Sequence, residues 1–235
     1  EILDLPFAFS SNGDGFFEFD RTTGKQRPDI PLDGFPTPAE LHRRYWDSRS
    51  LNPAERAVVD TPYHYDMETY PPRYYQRIAI NRTVEAVAKG TKRALLVMAT
   101  GTGKTYTAFQ IIHRLHTSGL KKKILYLADR NILIDQTMAQ DFKPFKKVMT
   151  KVQQKNIDSS FEIYMSLYGQ WIEYDKSKQN PDAEIDVSKT KQPYESLAPD
   201  FFDLIIVDEC HRGSVRDDSE WKRILEYFSS ATQIG

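Results

Sequence analysis

Within Thr100-Gly101-Thr102-Gly103-Lys104-Thr105, two glycines, a lysine and three hydroxyl side chains occupy six consecutive positions. Glycines let a backbone wrap closely around an anion, a lysine adds a compact positive charge, and a threonine hydroxyl directly after it can sit on Mg²⁺. Far downstream, Asp208 and Glu209 are adjacent. One carboxylate of such a pair can hold a divalent cation through a water, and the other can orient or deprotonate an attacking water. A phosphate cradle and an acid pair are the parts needed to break a phosphoanhydride bond.

Chemistry at this spacing requires elements that aim it. Ala94 through Ala99 is an apolar run that predicts a buried strand, and Ala108, Ile111, Ile112 and Leu115 recur at helical spacing after Lys104. The cradle is therefore expected on a strand-to-helix turn, where free N–H groups and the positive end of the helix face the anion. Ser118-Gly119 ends that helix and Ile124 to Ala128 is a second apolar strand, so the three elements form a βαβ unit with parallel strands. Leu204 to Val207 puts Asp208 and Glu209 at the carboxyl end of a further strand, the end at which α/β sheets bind ligands. The fold class expected is α/β, a P-loop domain with a central parallel sheet. Ile132, Leu133, Gln136, Met138 and Ala139 suit a helix running on into Asp141-Phe142-Lys143, and Phe161 to Met165 suits a strand. Tyr174 to Pro199 is polar with few apolar anchors and predicts a long loop. Met98 stands where the strict phosphate-loop pattern has its first glycine.

Upstream of this core the character changes. Ile2 to Phe9 and Phe16 to Asp20 are aromatic strands across the turn Ser11-Asn12-Gly13-Asp14-Gly15, a hairpin too small for a core of its own. Pro28, Pro31, Pro36 and Pro38 mark a linker. Thr37-Pro38-Ala39-Glu40 and Asn52-Pro53-Ala54-Glu55 are helix starts, and Arg73-Tyr74-Tyr75-Gln76 opens a helix carrying Ile78, Ala79, Val84 and Val87. The organisation expected is a tail of an upstream domain over 1–40, a helical and irregular linker over 41–72, and the nucleotide-binding domain over 73–235.

The chain has 32 Lys and Arg against 33 Asp and Glu, yet these charges are segregated. Residues 1–70 carry a net −6, residues 71–155 a net +13 and residues 156–235 a net −8. Lys104 supplies one charge of the basic block, so a polyanion larger than a nucleotide is the partner to consider. No apolar run approaches the length of a membrane span and no leader pattern is present, so a cytoplasmic location is expected and a membrane partner is not. The single cysteine, Cys210, cannot form an internal disulfide. The opening on Glu1 and the strand just beginning at Ala231-Thr232-Gln233-Ile234-Gly235 suggest a piece of a longer protein.

The cradle together with Asp208-Glu209-Cys210-His211 resembles motifs I and II of superfamily 2 helicases and translocases. Arg73-Tyr74-Tyr75-Gln76 is similar to that family's Q motif, and Ala128-Asp129-Arg130 with Leu133 and Gln136 to its motif Ia. Over nearly its whole length the chain resembles the restriction (R) subunit of type I restriction-modification enzymes. That resemblance rests on Leu5-Pro6-Phe7-Ala8-Phe9 with Ser11-Asn12-Gly13, on Ala128 to Thr137 and on Asp208-Glu209-Cys210-His211-Arg212-Gly213.

The resemblance implies an ATP-dependent double-stranded DNA translocase built from RecA-like domains, preceded by a small remnant of an α/β nuclease domain. Its cofactors are ATP and Mg²⁺. Lys104, Asp208 and Glu209 would be catalytic; Arg73, Gln76, Thr100, Gly101, Thr102, Gly103, Lys104 and Thr105 would hold the nucleotide; Thr105 and Asp208 the metal. His211 would couple the nucleotide site to motif III, and Arg130, Lys143, Lys146 and Lys147 would contact DNA phosphates. Implied partners are double-stranded DNA, the methylation and specificity subunits, and a second RecA-like domain of the same full-length chain. That second domain would carry an arginine finger, worth roughly 10³ to 10⁵ in turnover at related sites, so residues 1–235 alone are expected to hydrolyse ATP weakly. Two other readings fit the motifs: another superfamily 2 DNA or RNA helicase, and a nucleotide-sensing assembly module without motor activity. Asp141-Phe142-Lys143 has the local shape of a nuclease acid-x-Lys pair but falls on the expected helix, and the nuclease signature is expected upstream of Glu1. His113 and His116 lack a further ligand for a metal set and are expected at the surface or in packing. Tyr63, Tyr65, Tyr70, Tyr74 and Tyr75 are expected to pack the linker onto the motor, with Tyr74 or Tyr75 near the base.

Overall fold

The computed structural model describes residues 5–66, 70–128, 131–152, 157–171, 192–210 and 217–235. The chain divides into two compact units, the first ending at Ala57 and the second starting at Val58.

In the first unit, β1 (Phe7–Ser11), β2 (Gly15–Asp20) and β3 (Lys25–Pro31) form an antiparallel sheet in that order. The expected hairpin is β1–β2, and the Asn12 side chain closes its turn by accepting from the Asp14 and Gly15 amides. The linker expected from Pro28 onward is in part a third strand. Proline lacks an N–H and suits a sheet edge or a bulge; β3 is at an edge, and Pro28 and Asp29 lie where its pairing slips between Phe16 and Glu18. Helix α1 (Pro38–Arg49) starts as its sequence predicts, with Thr37 Oγ1 accepting from the Glu40 amide. Its Arg44 pairs with Glu18, which is fully buried, and with Asp20 at 3.0 Å. Helix α2 (Pro53–Val59) follows, its start closed by reciprocal bonds between Asn52 and Glu55.

The second unit is an α/β domain around a sheet in which the described residues form six strands, parallel in each pairing. These are β4 (Arg93–Ala94), β5 (Ile124–Ala128), β6 (Met149–Lys151), β7 (Ile163–Leu167), β8 (Leu204–Val207) and β9 (Thr232–Ile234), in the order β4-β9-β8-β5-β7-β6. Successive side chains of a strand face opposite sides, and both sides here are covered, which is why β5 and β8 read as unbroken apolar runs. Ile124, Tyr126, Leu204 and Ile206 pack with α3 (Tyr74–Ala88) and α4 (Lys104–Thr117) through Ile80, Val84, Phe109, Ile112 and Leu115. Leu125, Leu127, Ile205 and Val207 pack on the other side with Trp171, Phe202, Phe228 and Ile224 of α6 (Asp217–Tyr227). Helix α5 (Asn131–Ala139) follows β5.

The structure corrects three sequence expectations. The buried strand over Ala94–Ala99 pairs with β9 at Arg93–Ala94 and through the Leu96 amide, which donates to Gly235 O at 2.7 Å; it lies at the sheet edge beyond β9, leaving Leu95 and Val97 69% and 90% exposed. Part of the long polar loop is ordered, since Pro193–Ser196 forms a 3-10 turn that buries Tyr194 against Phe228; residues 172–191 lie outside the described ones. Asp141-Phe142-Lys143 does not lie on α5, which ends at Ala139: Asp141 and Phe142 form a turn, Lys143 opens a 3-10 turn over Lys143–Phe145, and Phe142 and Phe145 are drawn into the core.

Candidate active site

The turn from β4 into α4 has the conformation its glycines predict. Gly101 and Gly103 adopt φ of +78° and +81°, a region that strains residues with a Cβ. Thr102 folds back on the loop, its amide and hydroxyl donating to Ala99 O at 3.3 and 2.6 Å. Gly103 caps α4, and its carbonyl accepts from the Thr107 amide at 2.9 Å. The amides of Lys104, Thr105 and Tyr106 in the first turn have no intrahelical acceptor, the arrangement that favours an anion at a helix start.

Glycine at 103 is required twice over, because a Cβ there would lie 2.5 Å from Gln76 Nε2. Gln76, 7% exposed on α3, donates to Thr102 O at 2.9 Å and accepts from the Arg73 amide at 2.8 Å. The hydroxyl of Tyr75 also reaches Thr102 O, at 3.3 Å. Of the sequence-predicted pair, Gln76 is thus fastened to the phosphate loop and Arg73 to Gln76. Together with Tyr70, Gly101, Thr102, Tyr106 and Asp141, the pair lines a cleft of about 620 Å³.

The acids reach the same loop from the carboxyl end of β8. Lys104 Nζ lies 2.8 Å from Glu209 Oε1, with both side chains largely sheltered. Glu209 has φ +53°, a strained value for a residue with a Cβ. Asp208 donates its amide to Leu127 O at 2.8 Å, and its Oδ2 accepts from the Tyr126 hydroxyl at 2.7 Å. Burial, reinforced by Asp208 and Glu209, pushes the Cys210 thiol up, which disfavours a nucleophilic thiolate. Among the described residues no cluster of three or more acidic, His or Cys side chains could hold a metal alone. The half-buried Thr105 and Asp208 instead suit a hard cation held mainly by phosphate oxygens and water. Glycines at positive φ, a helix start, one lysine and one flanking acid pair fit a nucleoside triphosphate with Mg²⁺.

Of the residues expected on DNA, Lys143, Lys146 and Lys147 are exposed around the 3-10 turn Lys143–Phe145, which the buried Phe142 and Phe145 anchor. Arg130 and His211 lie outside the described residues. His116 faces Glu162 at 2.5 Å, and His113 packs on Phe109 and Phe145, where burial and the nearby His64, His116 and Arg114 bring its pKa down to about 4. Tyr63 packs, bonding Asn81 at 2.6 Å, whereas Tyr65, Tyr70 and Tyr74 stay exposed.

Three features escaped the sequence reading. Arg114, 2% exposed on α4, donates to Val59 O, Thr61 O and Asn81 Oδ1 and stacks over Tyr63, while Gln110 brackets the backbone of His64. These bonds strap residues 59–64 onto the helix that carries Lys104. Asp141 lines the cleft, and burial raises its carboxyl pKa. Tyr126 joins β5 to Asp208. A polar side chain on the buried face of a helix or in an apolar strand was the available signal; its partners lie too far along the chain to be read.

A family model described as the type III restriction enzyme, res subunit, matches residues 69–235. The endonuclease subunit of the type I restriction enzyme EcoAI from Escherichia coli is 50% identical over 100% of this chain, which spans 28% of that relative's length. Among solved structures, a fragment of an HsdR subunit of a type I restriction enzyme from Vibrio vulnificus YJ016 superposes with a TM-score of 0.72 at 38% identity, covering 100% of this chain and 37% of that one. The UvsW helicase of bacteriophage T4, at 14% identity and a TM-score of 0.51, covers 77% of this chain and 57% of its own and shares the RecA-like fold. With a phosphate loop, a flanking acid pair and these matches, the chain belongs to the restriction enzyme res-subunit family and is a homologue of the type I restriction endonuclease subunit.

Proposed function

We propose that this chain supplies the nucleotide-binding half of an ATP-driven double-stranded DNA motor, one that pumps DNA before cleavage by a nuclease domain of the same type I restriction subunit. The observation that carries this reading is the meeting of Lys104 with Glu209 at 2.8 Å beside Asp208. In this reading Gly101 to Thr105 and the start of α4 bind the triphosphate, Lys104 draws charge from the phosphoryl group being transferred, and Thr105 and Asp208 would hold Mg²⁺, which supplies further charge neutralisation. Glu209 orients the attacking water and takes its proton. Arg73 and Gln76 fix the nucleoside end.

The exposed Lys143, Lys146 and Lys147, with Arg130, contact DNA phosphates, and His211 couples nucleotide state to motion. Residues 1–40 form the tail of the nuclease domain, 41–72 the linker and 73–235 the first motor domain, closed in the full-length subunit by a second RecA-like domain and assembled in the cytoplasm with methylation and specificity subunits. The test is Lys104→Ala in the full-length subunit: translocation and DNA-stimulated ATP hydrolysis vanish while assembly with the other subunits persists. Translocation that survives the change refutes the motor reading.

A further inference from the structure

Tyr126 is the third residue of β5, a strand otherwise built from Ile124, Leu125, Leu127 and Ala128. Phenylalanine would fill the same apolar space, and tyrosine adds only a hydroxyl. That hydroxyl, on a side chain 1% exposed, lies 2.7 Å from Asp208 Oδ2 on the neighbouring strand's carboxyl end. Tyr126 pairs with Ile206, two residues before Asp208, so the side chain spans from mid-strand to the end of the sheet that carries the phosphate loop. Its ring is held edge-on by Phe142, 5.5 Å away and itself fully buried.

We propose that Tyr126 is a positioning residue for Asp208, whose carboxylate it fixes in the orientation that a phosphate-bound divalent cation requires. This rests on the reading of Asp208 as part of an ATP and Mg²⁺ site. A carboxylate at a strand end can rotate about its side-chain torsions, whereas Mg²⁺ demands near-octahedral geometry. A charged oxygen tied to a sheltered phenol loses that freedom before the cation arrives. Outer groups that orient a metal-binding side chain are worth roughly 10- to 100-fold in metal affinity or activity. The ring's second neighbour gives the device an address in the fold: Phe142 directly precedes Lys143, so the turn that bears the exposed lysines backs the side chain that holds the metal carboxylate.

The experiment uses the full-length subunit and the variants Tyr126→Phe, Asp208→Asn and Lys104→Ala. Mn²⁺ binding is followed by electron paramagnetic resonance in the presence of a non-hydrolysable ATP analogue, and DNA-stimulated ATP hydrolysis is titrated with Mg²⁺. Tyr126→Phe is expected to weaken Mn²⁺ binding about tenfold and to shift the Mg²⁺ requirement by a similar factor. The KM for ATP at saturating Mg²⁺ should stay unchanged. Curves that superimpose on the wild type overturn the proposal. Should Tyr126→Phe melt below the assay temperature, Phe142→Leu, which keeps the hydroxyl and removes the backing ring, is expected to move both curves in the same direction by a smaller factor; unmoved curves overturn the proposal equally. If Asp208→Asn and Lys104→Ala hydrolyse ATP as fast as the wild type, the nucleotide-site reading itself falls.

Discussion

Replacing Gly103 by alanine separates two reasons for a glycine that ordinarily come mixed. At φ +81° any residue with a Cβ carries strain, about 1–2 kcal/mol. The added methyl would also sit 2.5 Å from Gln76 Nε2 and force that side chain away from Thr102 O and the Arg73 amide. Each of those hydrogen bonds is worth about 1 kcal/mol net, so Gly103→Ala should destabilise the chain by about 3–4 kcal/mol. Gly101 is the internal control, with a similar φ of +78° and nothing within 4 Å of the place a Cβ would take, so Gly101→Ala should cost only the strain. Urea unfolding of the two variants reads the difference, about 2 kcal/mol, directly from their midpoints. A Gln76→Ala background should remove that difference, because the group struck by the new methyl is gone, and the double-mutant coupling then equals the wedge energy. Equal destabilisation by Gly101→Ala and Gly103→Ala, or full additivity of Gly103→Ala with Gln76→Ala, refutes the account of Gln76 as a wedge under the loop.

Three further outcomes follow from groups around the same helix. His113 stays neutral in the folded chain until about pH 4 while its unfolded counterpart takes a proton near 6.5, so its contribution to stability is present above pH 6.5 and is lost as pH falls toward 4; thermal melts between about pH 7 and 4.5 should show a flatter profile for His113→Leu than for the wild type. Arg114→Met should destabilise the chain by about 3 kcal/mol in urea titrations, since it removes a guanidinium that satisfies Val59 O, Thr61 O and Asn81 Oδ1, and a shift below about 1 kcal/mol would show that water replaces it. Burial raises the Asp141 pKa, so the folded state binds its proton more readily than the unfolded one and the charged form works against folding at neutral pH. Asp141→Asn should therefore raise the melting temperature at about pH 7, and the gain should fade in acid.

Legibility in the sequence tracked the range of the interaction. Helix starts at Thr37 and Asn52 were readable because the capping bond spans three residues, and both are present. The second parallel strand of the βαβ unit, and Asp208 at the end of a third, follow from apolar runs too short for helices. The strand before the phosphate loop is the opposite case: composition reports that Leu95 and Val97 are apolar but not that β4 lies at a sheet edge. Likewise Pro28 looks like a linker residue until the slipped pairing opposite Phe16 and Glu18 is seen to tolerate it.

At the site, the residues that touch phosphate and metal must carry particular chemistry at particular spacing, so Lys104, Asp208 and Glu209 are visible in one dimension. What supports them and the elements that carry them is chosen by space alone. Tyr126 meets Asp208 across 82 positions, Gln76 meets Thr102 across 26, and Arg114 reaches Val59 across 55. Each is a polar group placed where an apolar one would pack, and each is sheltered, so an unmade bond there would leave a desolvated donor or acceptor. That asymmetry is a reason to search for supporting residues among polar side chains that interrupt an apolar face, and the cost of removing one depends on whether water reaches the partner left behind: Asp208 is only half-buried, so Tyr126→Phe should shift the cation requirement at little cost in melting temperature, unlike Arg114→Met.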